Sequence, residues 1–283
     1  MQGSRELSNP CRLQKTSVMY PWDKRTLFLG RLPDPVYASY GAATVVVSLG
    51  DSIRCSSNLY QGRGHSFLIP AGCPVFIDTG NSAVAICHLD VMGEDYASLT
   101  HGRRLPAGTL LLDVAEVADM KRAFVQMHQQ PSDSNQAYQV LDDLLSYCSR
   151  SISFTPKTDE RLVPVISLIK DRIQDNLAIE ELASTARLSV PRLVQLFKMQ
   201  TGVPLRRFRL WHRIYESVIS ISEGQNLTDT AMACGFSDSP HLTHSFSSMW
   251  GVTPSRLFGK GIGTEIIPPV KPTPEHTVNP HGG

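Results

Sequence analysis

The sequence predicts an α+β protein in which a β barrel or sandwich is followed by a helical hairpin and then by an all-α domain with two helix-turn-helix units. Three observations carry this prediction. Short apolar runs between turn-forming residues fill the first third of the chain, helical periodicity replaces them near residue 109, and the C-terminal third repeats one of its own segments. A chain of 283 residues is long enough to form two domains with separate cores.

Composition excludes several classes of protein. The formal net charge is +1, and no apolar run approaches the roughly 18–20 residues that a membrane span needs. The N-terminal stretch MQGSRELSNPCRLQK lacks the apolar core of a signal peptide, so we expect the chain in the cytosol. The six cysteines form no CxxC pair, which indicates reduced thiols rather than a disulfide framework or a zinc site.

Five apolar runs define the predicted β domain, which spans residues 18–108 after a flexible N-terminus at 1–17. They are RTLFLGR, ATVVVSLG, HSFLIPAG, PVFIDTG and AVAICHLDV, each bounded by Gly, Pro, Asn or Asp. A closed antiparallel sheet can hold a small molecule at its mouth. A metal-dependent enzyme of this shape would need paired histidines with a carboxylate, whereas His65 and His88 are isolated. We therefore predict no catalytic residue, metal or cofactor.

A helical hairpin is predicted over residues 109–150, with PSD at 131–133 as the break between its helices. The second helix has an apolar stripe at helical spacing, formed by Tyr138, Leu141, Leu144, Leu145 and Cys148. Such a stripe either packs on its own domain or forms a homodimer surface, and the sequence leaves both alternatives open. Residues 151–160 follow as a linker, and the Pro- and Gly-rich residues 261–283 are predicted to form a disordered tail.

The helical domain at 161–260 contains an internal duplication. At shifts of 48 and 49 positions, IEELASTARLS aligns with LTDTAMACGFS and RLVQLFKMQTGV with HLTHSFSSMWGV. Each copy reads as a short helix, a turn and a second helix that begins after a serine and stops at a glycine. These features predict helix-turn-helix units at 179–201 and 227–250.

The second helix of each unit has a polar side opposite its apolar side. In the first unit that side carries Arg192, Gln195 and Lys198, and in the second His241 and His244. Two histidines three positions apart could bind a metal ion, but no acidic or thiol partner is spaced to complete the site. Residues 161–260 carry 12 basic and 8 acidic residues, against 14 and 16 in residues 1–160. The basic balance favours contact with base edges and phosphates of DNA.

The stretch PLRRFRLWHRIYESVISIS connects the two units. It predicts a helix of roughly 27 Å, which could hold two reading helices about one DNA turn, some 34 Å, apart. Arg206, Arg209 and Arg213 line up on its polar side, where they form either a solvated face or contacts to DNA phosphates.

Residues 161–260 resemble the DNA-binding domain of the AraC/XylS family of bacterial transcription regulators, through LSVPRLVQLFKMQTGVPLRRF and GFSDSPHLTHSFSSMWGVTPSRL. By this resemblance Arg213 corresponds to the arginine usual in the connecting helix. Thr230 stands where an aliphatic residue is usual, and His244 where arginine is more common. The resemblance assigns the base-facing positions to Arg192, Val194, Gln195, Lys198, Ser239, His241, Thr243 and His244.

The resemblance implies a sequence-specific regulator of promoter DNA with a cupin-like β sensor domain and dimerising helices. We expect an activator that forms a homodimer, recruits RNA polymerase and is controlled by a small molecule in its N-terminal domain. One alternative is a regulator of the same family without a small-molecule effector, controlled by a protein partner or by its abundance. The other is a cupin-type enzyme with a DNA-binding appendage.

Overall fold

The computed structural model describes residues 17–33, 35–93, 95–96, 99, 111–112, 117–149, 159–259 and 262–270. The N-terminal domain is built from two sheets. Their strands are β1 Val18–Pro21, β2 Arg25–Gly30, β3 Val36–Ser39, β4 Ala43–Ser48, β5 Ile53–Ser56, β6 Gln61–Gly64, β7 Ser66–Ile69, β8 Pro74–Asp78, β9 Val84–Leu89, β10 Leu111–Leu112 and β11 Glu265–Ile266. The strand orders are β10-β7-β4-β9-β2-β1-β11 in the larger sheet and β3-β8-β5-β6 in the smaller one. The predicted α+β architecture is confirmed.

The larger sheet is covered on both faces. All six residues of β4 are buried, and alternate side chains face opposite ways. Val46 packs between the two sheets, in a cluster that we call the inner core. Val45 and Val47 pack against the helical hairpin on the other face, in the hairpin-side core. Coverage of both faces explains why every residue of β2, β4 and β9 is buried and why apolar residues predominate in these strands.

The hairpin consists of α1 Val117–Gln129 and α2 Ser134–Ser149. Met120, Phe124, Leu141 and Leu145 are buried against the larger sheet. Between the two alternatives for the apolar stripe, the structure therefore shows packing on its own domain. A second copy of the chain would have to use another surface.

The C-terminal domain is helical. Its elements are a 3-10 turn at Glu160–Leu162, α3 Val163–Asp171, α4 Ile179–Thr185, α5 Val190–Thr201, α6 Leu205–Ser222, α7 Leu227–Ala233, α8 Ser239–Trp250 and α9 Pro254–Phe258. Helices α4 and α5 form the first helix-turn-helix unit, and α7 and α8 form the second. Both second helices end at glycines with left-handed backbone, Gly202 at φ 76° and Gly251 at φ 73°, which only glycine adopts without strain.

The cap of the second unit differs from the prediction of a serine. Asp238 is the residue that precedes α8, and its carboxylate accepts a hydrogen bond from the backbone N–H of His241 at 2.7 Å. Ser239 is instead the first residue inside the helix. Aspartate and serine are equally suited to this position, because either oxygen satisfies a free backbone donor of the first turn.

The predicted disordered tail at 261–283 is wrong for residues 262–270. There β11 pairs in parallel with β1, and the backbone N–H of Ile267 donates to the carbonyl of Met19 at 2.8 Å. The chain thus returns to the sheet where it began. Periodicity did not reveal this strand because it has only two residues. The remainder of the predicted tail, the predicted linker at 151–158 and the N-terminus at 1–16 lie outside the described residues.

No helix among the described residues combines the length and hydropathy of a membrane span. The cysteines that the structure describes with their side chains are free and buried, namely Cys55, Cys73, Cys87 and Cys234.

Candidate DNA-binding interface

The four positions proposed to read DNA in the first unit lie on the open side of α5. Arg192, Val194, Gln195 and Lys198 are exposed, whereas the residues between them enter the core of the first unit. One Nη of Arg192 donates to the Oε1 atom of Gln195 at 3.0 Å. This bond aligns a cationic and an amide side chain on the same helical face, and both are suited to base edges in a major groove.

The second unit presents His241 and His244 as exposed side chains, with Ser239 and Thr243 partly exposed. The His241 ring is held in place, because its Nδ1 atom lies 3.1 Å from the hydroxyl of Ser237 and it makes a T-shaped contact with the ring of Phe236, with centroids 5.3 Å apart. An imidazole fixed at the start of a helix can contact a base edge or a phosphate.

A metal site at these histidines receives no support. No group of three His, Cys, Asp or Glu side chains within the described part of the chain could hold a metal ion. His241 and His244 lie on the exposed face without a thiol or carboxylate spaced to join them as ligands.

The expected basic stripe on α6 needs a correction. Arg206 is exposed, but Arg213 has only 9% of its surface exposed. Arg213 donates to the carbonyls of Ile173 and Asp175 at 2.9 and 3.0 Å. Burial lowers the pKa of Arg213, although an arginine stays charged near neutral pH. The helical spacing placed these arginines on one side of α6, but the backbone after α3 covers that side.

Arg209 is held in the same way. Its two terminal nitrogens donate to the carbonyls of Leu177 and Asp175 at 2.9 and 3.0 Å. Only Arg206 of the three arginines is therefore an exposed candidate for a phosphate contact. Arg207, for which no sequence pattern predicted a role, donates to the carbonyl of Ser39 in the β domain.

An aromatic cluster joins the two domains, and sequence reasoning missed it. The ring of His88 lies 4.8 Å from those of Tyr40 and Trp211 and 5.2 Å from that of Trp250. Its Nδ1 atom lies 2.9 Å from the hydroxyl of Thr44. Burial lowers the pKa of His88 to about 3, so the ring is neutral at neutral pH. The isolated position of His88 in the sequence gave no signal of this contact.

Two cavities adjoin this cluster. A partly open cleft is lined by residues of β2, β9 and α6, such as Trp211 and His212, and by residues outside these elements, such as Lys24 in the turn before β2. The second, which we call the junction cavity, is a narrow and partly open pocket between the two domains. Its lining residues are Phe28, Leu32, Tyr40, Ile86 and His88 from the β domain and Trp250, Val252 and Leu257 from the C-terminal domain. The indole N–H of Trp250 is buried and has no hydrogen-bond partner.

Comparison with known proteins agrees with this architecture. Residues 182–260 match the family profile described as a helix-turn-helix domain. A probable transcriptional regulator, LumQ of Photobacterium leiognathi, is 25% identical over 221 residues, which cover 76% of this chain and 81% of that protein.

Solved structures of ToxT from Vibrio cholerae share the fold of both domains. ToxT from strain O395 superposes with a TM-score of 0.57 at 15% identity, over 83% of this chain and 96% of that chain. Wild-type ToxT from strain SCE256 with a bound unsaturated fatty acid gives 0.54 at 16% identity, over 84% and 96%.

Two helix-turn-helix units with open reading faces, carried behind a β domain, define a DNA-binding transcription regulator. The two signature stretches and the matched profile both indicate the same type of regulator. Residues 182–260 match this helix-turn-helix domain family, and the chain as a whole resembles transcription regulators of the AraC type. These findings point to a regulator rather than to an enzyme.

Proposed function

We propose that the protein is an activator that binds specific promoter sites with both helix-turn-helix units and responds to a small molecule at the junction of its domains. The observation that carries the proposal is the position of the junction cavity. Its wall includes Trp250, the last residue of the second reading helix, and His88 of the β domain. A ligand there would contact the sensor and the reading module together.

Base reading is assigned to the eight exposed or partly exposed positions of the two helices. The amide of Gln195 is suited to adenine, the cations of Arg192 and Lys198 to guanine or phosphate, and Val194 to the methyl group of thymine. In the second unit the side chains are shorter, and contacts to the bases would come from the hydroxyl and imidazole groups of Ser239, His241, Thr243 and His244. Arg206 is the remaining phosphate contact from the connecting helix.

The lining of the junction cavity indicates the chemistry of the effector. No lysine, arginine or carboxylate is among its lining residues, and His88 is neutral. Burial of a charge without a partner is costly, so an ionised group is disfavoured there. The free N–H of Trp250 would bind one acceptor atom. We infer an apolar, uncharged molecule with one hydrogen-bond acceptor. The fatty acid bound to ToxT carries a carboxylate, so it supports a small-molecule effector at this fold but not the same effector chemistry.

Binding of the effector would act by changing the packing of the β domain against the second helix-turn-helix unit. Val252 and Leu257 follow α8 directly, so a ligand that moves them changes the freedom of that unit to enter a groove. Activation would follow from contact with RNA polymerase at the promoter, with the protein acting as a homodimer in the bacterial cytoplasm.

The first experiment maps the bound sites across the genome and then measures affinity for one of them with each member of a metabolite panel. A metabolite that raises the thermal unfolding temperature and shifts the DNA affinity supports the effector. Ile86→Trp fills the junction cavity and should abolish the response, whereas Val163→Ala, at an exposed position of α3 outside the cavity lining, should retain it. DNA binding that no metabolite shifts would favour control by a protein partner or by abundance.

A further inference from the structure

A loop between α3 and α4, residues 172–178, lies where both helix-turn-helix units meet the connecting helix. We call it the strut loop. From α6, Arg209 and Arg213 donate four hydrogen bonds to three of its backbone carbonyls, those of Ile173, Asp175 and Leu177. Two of these bonds converge on the carbonyl of Asp175. These contacts fix the strut loop to the middle of the helix that joins the two units.

The strut loop is also fixed to the first unit. The guanidinium of Arg172 donates to Asp175 and to Glu181, both at 2.7 Å. Glu181 lies in the first turn of α4, directly after the loop. The first unit therefore moves with the strut loop.

The second unit touches the strut loop through Gly235, in the turn between α7 and α8. Gly235 has φ 77°, and a Cβ atom added to it would lie 2.6 Å from the carbonyl oxygen of Gln174. No side chain fits between the two backbones. The position of the second unit relative to the loop is thus set by a direct backbone contact.

We propose that Arg209 and Arg213 are positioning residues that set the distance and rotation between the two reading helices, by holding the strut loop against both units. The proposal rests on the proposed function, in which both units read one DNA site. Arg213 is buried and bound to carbonyls, so it cannot reach a phosphate without leaving them.

The chemistry of arginine suits this role. A guanidinium presents several donors in one rigid plane, so one side chain can bridge two carbonyls at a fixed separation, whereas a lysine ammonium is a point charge on a flexible stem. The carbonyls belong to the residues that follow α3, where the negative end of the helix dipole also favours a cation. Replacement by lysine keeps the charge but loses the fixed geometry.

The test uses the full chain and duplexes that carry its mapped site with the spacing between half-sites changed by one base pair. Such a change moves the second half-site by about 3.4 Å and rotates it by about 34°. The variants are Arg213→Lys, Gly235→Ala and, as the control on the same helix, Arg206→Gln. Affinity is measured for each duplex, for a single half-site and over a range of salt concentrations.

We expect Arg213→Lys to bind the single half-site as the wild type does. Its preference for the native spacing, measured as the ratio of affinities for the native and altered duplexes, should fall by about tenfold if one groove contact is displaced. Its salt dependence should not change. Gly235→Ala, which alters no charge, should show the same loss of spacing preference because it presses on the strut loop from the opposite side. Arg206→Gln should retain the spacing preference and reduce the salt slope by about 0.9.

Retention of the native spacing preference by both Arg213→Lys and Gly235→Ala would overturn the proposal, as would a reduced salt slope in Arg213→Lys with unchanged spacing preference. Wild-type protein that binds a single half-site as tightly as the whole site would instead overturn the proposed reading by both units. Circular dichroism of each variant separates these outcomes from misfolding, and Arg209→Lys provides an independent replacement in the same set of bonds.

Discussion

The imidazole of His88 packs edge-on against the indole of Trp211, with ring centroids 4.8 Å apart. His88 belongs to β9 of the β domain, and Trp211 belongs to the helix that joins the two helix-turn-helix units. Because the inner core continues from Phe28 and Ile86 into Phe246 and Trp250, the β domain and the second unit share one apolar cluster. Disturbance of this contact should therefore affect both domains.

Burial of His88 predicts a pH dependence of stability. Its pKa is lowered to about 3 in the folded protein, whereas an unfolded histidine takes up a proton near pH 6.5. Below about pH 6.5 the unfolded state binds a proton that the folded state does not, so the free energy of unfolding falls as the pH falls, until the pH reaches the folded pKa. In this pH range the contribution of His88 to the decrease in the free energy of unfolding approaches about 1.4 kcal/mol per pH unit.

Urea unfolding at pH 7 and pH 5 measures this effect. His88→Gln retains a partner for Thr44 but does not titrate, so its loss of stability between the two pH values should be about 2 kcal/mol smaller than that of the wild type. Equal pH dependence in the two proteins would show that His88 is not held neutral.

Gly251 and Gly202 form a matched pair for testing the domain contact. Both end a reading helix in left-handed backbone, so alanine at either costs about 1 kcal/mol of backbone strain. A Cβ atom at Gly251 would also meet Val36 at 2.2 Å and the carbonyl of Tyr37 at 2.6 Å, in β3. At Gly202 the nearest such atom is 4.0 Å away.

Gly251→Ala should therefore separate the second unit from β3, whereas Gly202→Ala should not. Limited proteolysis and the radius of gyration in solution measure the separation. If the two variants open to the same extent, the β3 contact does not hold the domains together.

His244→Ala tests base reading by the second unit. The side chain is exposed on α8, so its loss should change the preference at one or two base pairs and cost about 1–3 kcal/mol there, without unfolding the domain. Binding to a library of single-base variants of the mapped site measures the change. A uniform loss of affinity on every sequence would assign His244 to the phosphates instead.

The C-terminal return strand should stabilise the β domain. A chain that ends at residue 263 lacks β11, its hydrogen bonds to β1, and Ile266 and Ile267, which pack against the inner core and the hairpin-side core. We expect a loss of about 1–3 kcal/mol in the free energy of unfolding. A chain that ends at residue 270 retains β11 and should be as stable as the full chain in the same urea titration.

The local order of the chain followed from its residues. Apolar runs located β2, β4, β7, β8 and β9, and helical stripes and a duplicated segment located the hairpin and both helix-turn-helix units, because each depends on contacts within one element or between neighbours. The same periodicity separated Leu193 and Phe197, which are buried, from Arg192 and Gln195, which are exposed.

Contacts between residues far apart in the chain could be identified only in the folded structure. Arg213 and Arg206 have the same spacing pattern on α6, yet one is buried under the strut loop and the other is exposed. The return of β11 to β1 and the contact of His88 with Trp211 each join residues far apart in the chain. The sequence by itself determined which faces are apolar and which are polar. Tertiary structure alone decided which partner covers each face, because burial and pairing depend on distances that no local pattern encodes.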